Sequence, residues 1–248
     1  MSILARDLNR MLNPAQLMRD AGMEPDAWQA DVLNSDARRM LLLCSRQSGK
    51  STTCAALAVN QAIYDPGLVL LIAPAQRQSS ELFRKVNEVY RALPDVPRIV
   101  QESAMRLELA NGSRIIALPG TEGTIRGYSG AKTVIVDEAS RVDNALFAAV
   151  RPMLATTQGR FVALTTPYGK RGWFYEAWEH GQGWERTMVT AADCPRIDPV
   201  WLEEERALIG DWQFRQEYGC EFVDTDEQFF ASELIEAALT SEVTPLWS

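Results

Sequence analysis

The residues that most constrain this chain are Cys44-Ser45-Arg46-Gln47-Ser48-Gly49-Lys50-Ser51. They follow the apolar run Leu41-Leu42-Leu43 and precede a segment with helical character over 50–64. The eight match G-x-x-x-x-G-K-[ST], with Cys44 standing where the first glycine usually sits. A strand that delivers such a loop to the start of a helix wraps consecutive backbone N–H groups around a polyphosphate. The helix N-terminus adds the positive end of its dipole. Gly49 allows close backbone approach, Lys50 places a cation on the β- and γ-phosphates, and the Ser51 hydroxyl suits Mg2+. The pattern predicts ATP and Mg2+ as ligands, with Ser45, Arg46, Gln47, Ser48, Gly49, Lys50 and Ser51 around the nucleotide. A chance Gly-Lys-Ser at a helix start would bind nothing, so a second motif must decide.

That motif is Thr133-Val134-Ile135-Val136-Asp137-Glu138, an apolar strand ending in two carboxylates. A strand buried on both faces delivers its last residues to the carboxyl edge of the sheet, where a phosphate loop also lies. There Asp137 is suited to hold Mg2+, and Glu138 to orient and polarise an attacking water. A glutamate directly after the metal-binding aspartate points to hydrolysis rather than binding alone. Around these motifs, short apolar runs alternate with helical segments: Met40–Leu43, Leu68–Ala73, Thr133–Val136 and Phe161–Leu164 read as strands, and 50–64 and 76–92 as helices. The fold class expected is α/β: a P-loop NTPase of the additional-strand, catalytic-glutamate type, with a mainly parallel central sheet flanked by helices and a small C-terminal lid.

Two short helices, about 14–21 and 25–35, precede the sheet. Met105–Leu109 and Arg114–Leu118 flank Asn111-Gly112, a hairpin signal that interrupts the alternation. Residues 170–180 and 198–218 read as helical and 184–190 as a strand. The division expected is a core over 1–169, a lid over 170–230, and a tail over 231–248 carrying a helix at 232–239. No stretch approaches the roughly 20 apolar residues of a membrane span, and the N-terminus is too polar for a signal peptide. Cys44, Cys54, Cys194 and Cys220 form no CxxC pair, which suits reduced thiols and argues against a zinc site. His180 is the only histidine, so chemistry built on a histidine base is not expected.

The ordered set resembles the large terminase of tailed phages. Ser45-Arg46-Gln47-Ser48-Gly49-Lys50-Ser51 is similar to that family's S-R-Q-x-G-K-[ST] loop, in which the first glycine is often absent. Trp28-Gln29 resembles its adenine-recognition element, and the resemblance implies that the Gln29 amide reads the adenine edge. Leu164-Thr165-Thr166-Pro167 resembles its coupling motif, with Thr165 and Thr166 sensing the γ-phosphate. Gly123-Thr124-Ile125-Arg126-Gly127 resembles the segment carrying an arginine finger, so Arg126 is a candidate catalytic residue in trans, with Arg46 the competing candidate in cis. Asp193–Ile197 and Phe214–Phe222 resemble the segments that close the ATPase half, so the likeness covers about residues 25–230. It implies an ATPase that pumps double-stranded DNA into a viral procapsid from the host cytoplasm. The implied assembly is a homo-oligomeric ring on a portal protein, with a small terminase subunit as a possible further partner.

Full-length members carry a nuclease domain; here Asp224, Asp226 and Glu227 lie in a polar linker, and this chain is not expected to cut DNA. Its net charge of −8 does not advertise nucleic-acid binding. Arg77, Arg84 and Arg91 share one helix face and could touch DNA phosphates, or could be the solvated side of an amphipathic helix interleaved with Glu81 and Glu88. Two other readings remain open from sequence: a related nucleic-acid-remodelling ATPase, and an ATP-gated binding module with little turnover when unassembled.

Overall fold

The computed structural model describes residues 3–125 and 127–223. Three helices lead in: Ile3–Leu12 (α1), Ala15–Asp20 (α2) and Ala27–Asn34 (α3). Then Arg39–Cys44 (β1) feeds Lys50–Tyr64 (α4), and Leu68–Ala73 (β2) feeds Gln76–Ala92 (α5). Ile99–Ser103 (β3), Arg106–Leu109 (β4) and Arg114–Pro119 (β5) follow, then the single turn Glu122–Ile125 (α6) and Ala131–Asp137 (β6). Asn144–Val150 (α7), Arg160–Thr165 (β7), Gly172–Glu179 (α8), Glu185–Val189 (β8), Pro199–Ile209 (α9) and Asp211–Glu217 (α10) complete the described chain.

Among the described residues the strands form one sheet in the order β3-β4-β5-β2-β6-β7-β1-β8. From β5 to β8 every neighbouring pair is parallel, and only the β3–β4–β5 meander is antiparallel. The apolar character of β1 explains its central place. Met40, Leu42 and Cys44 face one core with α4 and α5, while Leu41 and Leu43 face a second with Phe161, Trp173 and Phe174. A strand covered on both faces needs no polar alternation. Truncating a side chain such as Leu42 to alanine there costs about 2–5 kcal/mol.

The order β6-β7-β1 decides where function can sit. The strand ending in Asp137 is separated from the strand entering the Ser45–Ser51 loop by β7, so three strand ends lie side by side at one edge. This is the additional-strand arrangement that the sequence predicts.

Three features differ from the sequence expectation. Asn111-Gly112 does make a hairpin turn, with Gly112 at φ +88°, but β5 is no insertion: it pairs with β2 inside the parallel sheet. Residues 185–189, expected in the segment covering the core, instead extend the main sheet beside β1. The 198–218 helix is broken at Gly210, whose φ of +84° ends α9 and starts α10. The tail helix at 232–239, Asp224, Asp226, Glu227 and Arg126 lie outside the described residues.

Candidate nucleotide site

The loop starts as a continuation of β1. Cys44 is fully buried and pairs with Val189, and the Ser45 N–H donates to the Val189 carbonyl at 2.8 Å. Residue 44 is therefore an ordinary strand residue with a packed side chain, which is why glycine is not required there. Gly49 is required. It sits at φ +96° as the N-cap of α4, and a Cβ would come within 2.9 Å of Gln29 Nε2 and 3.2 Å of the Arg196 guanidinium. Any side chain there meets both strain and collision.

The loop is held from outside at three points. Gln29, only 2% exposed, donates from Nε2 to Thr53 Oγ1 at 3.0 Å and lies 3.5 Å from the Gly49 carbonyl. Its Oε1 accepts the Asp26 N–H at 2.9 Å, so both ends of this amide are engaged within the fold. Arg196 bridges the Asp26 carboxylate (2.6 Å) and the Ser48 carbonyl (3.1 Å). Arg46 donates its backbone N–H to the Glu217 carbonyl (2.9 Å) and its Nε to the Glu217 carboxylate (2.5 Å). The hydrogen bonds to Glu217 lift the already high guanidinium pKa further. Trp28 packs at the margin of the first core and does not line the cleft; its buried indole N–H has no hydrogen-bond partner among the described residues.

The acids arrive from β6. Asp137 is buried, and burial together with the neighbouring Glu138 raises its pKa from 3.8 to about 6, against the lowering pull of Lys50 and of hydrogen bonds from Glu138 and Ser51. Its Oδ2 lies 3.5 Å from Ser51 Oγ, and its Oδ1 accepts the Glu138 N–H at 2.9 Å. Glu138 sits in the left-handed region at φ +51°, a conformation that disfavours residues other than glycine, asparagine and aspartate. Lys50 Nζ donates to Thr166 Oγ1 at 2.5 Å and lies 3.8 Å from Glu138 Oε1. Thr165, fully buried, accepts the Ser140 N–H at 3.3 Å and fixes the turn after Glu138.

Together these groups line a cleft of about 920 Å³ at the carboxyl edge of the sheet. Gln29, Arg46, Gln47, Ser48, Gly49, Lys50, Ser51, Glu138 and Thr166 border it; Asp137 and Thr165 lie beneath. The cleft lining also includes charged residues to which sequence reasoning gave no role, among them Lys85 from α5, Arg141, Arg196 and Glu217. Arg141 lies 4.0 Å from the Glu138 carboxylate and stacks on Tyr168, with 4.1 Å to the ring centroid. Arg196 and Glu217 lie in the segments that resemble the close of the family's ATPase half, but only the topology brings any of the four to the cleft.

The sheet order and this cleft suit a P-loop nucleotide-binding domain, and comparison with known proteins identifies the family. The family model for the terminase large subunit, T4likevirus-type, N-terminal, matches residues 41–237. The chain belongs to this large-terminase family. The terminase large subunit of Thermus phage G20c is 27% identical over 248 residues, covering 85% of this chain and 51% of the relative. This terminase chain thus spans about half the length of the curated relatives it matches. Its structure is similar to the large terminase ATPase domain of Thermus phage P74-26, with a TM-score of 0.72 and 25% identity over 86% of this chain and all of the other. The large terminase of a thermophilic bacteriophage in complex with ATP-gamma-S shares the fold, with a TM-score of 0.62 and 12% identity over 80% of this chain and 53% of that one.

Proposed function

We propose that this terminase chain binds ATP with Mg2+ and hydrolyses it, and that the hydrolysis drives double-stranded DNA into a viral procapsid. The observation that carries this reading is the convergence of Lys50, Ser51, Asp137 and Glu138 on one cleft, from two segments far apart in sequence. The cleft volume lies within the range of about 300–1,000 Å³ common for ligand sites. The phosphate chain takes the backbone N–H groups at the start of α4, with Lys50 on the β- and γ-phosphates.

The donor set fits a divalent cation. Ser51 and Asp137 present a hydroxyl and a carboxylate 3.5 Å apart, and the raised pKa of Asp137 marks a buried negative charge that Lys50 neutralises only in part. Ser51 and Asp137 would hold Mg2+, which supplies charge neutralisation across the phosphates when bound. Glu138, at the mouth of the cleft, orients the attacking water and accepts its proton. Arg46 competes with Arg126 for stabilising the transferring phosphoryl group; in this structure Arg46 is paired with Glu217. Gln29 and Trp28 remain proposed adenine contacts, and Thr165-Thr166 a proposed coupling element.

Membership of the terminase family supports the packaging reading. The proposal includes double-stranded DNA contacted through its backbone, a homo-oligomeric ring on a portal protein, a possible small terminase subunit, and a setting in the host cytoplasm. The Arg77–Arg84–Arg91 face offers limited support for DNA contact. Arg84 is paired with Glu81 and Glu88, and Arg91 with Glu102. The deciding experiment is ATP turnover by Glu138→Gln. ATP affinity should persist while hydrolysis falls by about 100-fold or more; an unchanged rate removes Glu138 from this role.

A further inference from the structure

A second cleft, of about 780 Å³, lies at the opposite edge of the sheet, where β1 and β7 begin. Its walls are aromatic: Phe147, Phe161, Trp173 and Trp184. Phe147 and Trp173 stack with centroids 4.4 Å apart and planes 4° from parallel, and Trp184 sits edge-on to Phe161 at 5.7 Å. Arg38, Arg39 and Arg151 form its rim, all three exposed, against one lining carboxylate, Glu176. An apolar slot ringed by cations suits a large apolar side chain carried on an acidic segment.

The chain itself supplies such a segment. Residues 224–248 hold six carboxylates, at Asp224, Asp226, Glu227, Glu233, Glu236 and Glu242, and no lysine or arginine. Three of the six fall within the five residues before Phe229-Phe230. The described chain also stops beside the cleft. Phe222 packs edge-on against Tyr175 of α8 at 5.0 Å, and Trp173, Glu176 and Ala177 on that same helix line the slot. A helix with its side chains is about 10–12 Å across, and six extended residues reach about 20 Å, so position 229 can round α8 to the aromatic walls.

We propose that residues 224–230 of the same molecule dock in this cleft, with Phe229 or Phe230 among the aromatic rings and Asp226 and Glu227 facing the arginine rim. The test replaces Phe229 with the photo-crosslinker p-benzoylphenylalanine in the full chain, irradiates, and maps adducts by mass spectrometry. Docking predicts internal adducts on the peptides bearing Phe147, Leu154 or Trp184. Their yield should fall several-fold in R39E/R151E and with rising NaCl, because exposed pairs are screened. If R39E/R151E fails to fold, D226N/E227Q removes the same attraction from the other side and should lower the yield likewise. Adducts confined to other surfaces, adducts only between two molecules, or a yield indifferent to these charges would each overturn the proposal.

Discussion

The ammonium of Lys50 is held by the Thr166 hydroxyl at 2.5 Å, across 116 positions of sequence. β7 makes this possible: inserted between β6 and β1, it ends at Thr165 and delivers the next residue into the phosphate loop. The lysine is therefore aimed before any phosphate arrives.

Thr166→Val keeps the shape and removes the acceptor. A hydrogen bond to a charged group contributes about 1.5–3 kcal/mol, so losing this pre-alignment should weaken ATP binding by about tenfold, measured calorimetrically. Thr166→Ser should restore it. An unchanged Kd would mean that the phosphates orient Lys50 unaided.

Arg46 and Glu217 are 171 positions apart, and their pair ties the loop to α10. The Arg46 side chain is 58% exposed, so solvent screening limits the pair to about 1 kcal/mol. A double-mutant cycle with Arg46→Met and Glu217→Gln should return that coupling in the nucleotide-free chain. If Arg46 moves to the phosphates when ATP binds, the coupling should vanish with ATP and Mg2+ present. Coupling that persists at full strength would retire Arg46 as a cis finger.

These relationships show which parts of the molecule were legible beforehand. β1, β2, β6 and β7 were, because burial on both faces writes them as unbroken apolar runs. β3 was not: Ile99–Ser103 is almost entirely exposed, and its only apolar residues, Ile99 and Val100, are adjacent and make neither a run nor an alternation. α1 was missed for a different reason. Arg10 is buried against Asp20, while Leu4, Leu8 and Leu12 face outward, so its polar side rather than its apolar side meets the body. At the site, the loop and the Asp137-Glu138 pair are local motifs that spacing alone exposes. Arg196 and Glu217 reach Ser48 and Arg46 across 148 and 171 positions, and no periodicity encodes contacts at that separation.

Asp137 gives a pH signature in the nucleotide-free, EDTA-treated chain. Its folded pKa, about 6, lies above the ordinary 3.8. The folded state thus binds more protons between these values, and stability from this group falls as pH rises through that window. Below about pH 4 the acid is neutral in both states and the penalty is absent. Asp137→Asn should therefore stabilise the chain at pH 7.5 by something on the order of 2–3 kcal/mol and give no gain at pH 4, read from urea unfolding. Equal stabilisation at both pH values would assign the effect to packing instead of charge burial.

Gln29 provides the sharpest separation between a brace and a reader of bases. Its Oε1 is taken by the Asp26 N–H and its Nε2 by Thr53 Oγ1, with the Gly49 carbonyl 3.5 Å away. Removing it leaves the Asp26 N–H without its acceptor and takes from the Thr53 hydroxyl, which still donates to the Gly49 carbonyl, the donor it accepts from; an unmet group at a largely buried position costs about 1–3 kcal/mol. Gln29→Ala should accordingly lower stability without nucleotide. Because the loop it steadies contacts phosphates, binding of ATP and GTP should weaken together, by the same factor within about twofold, an energy difference near 0.4 kcal/mol. A loss confined to ATP, with GTP binding intact, would show that the amide leaves Asp26 and Thr53 to read the adenine edge when the nucleotide enters.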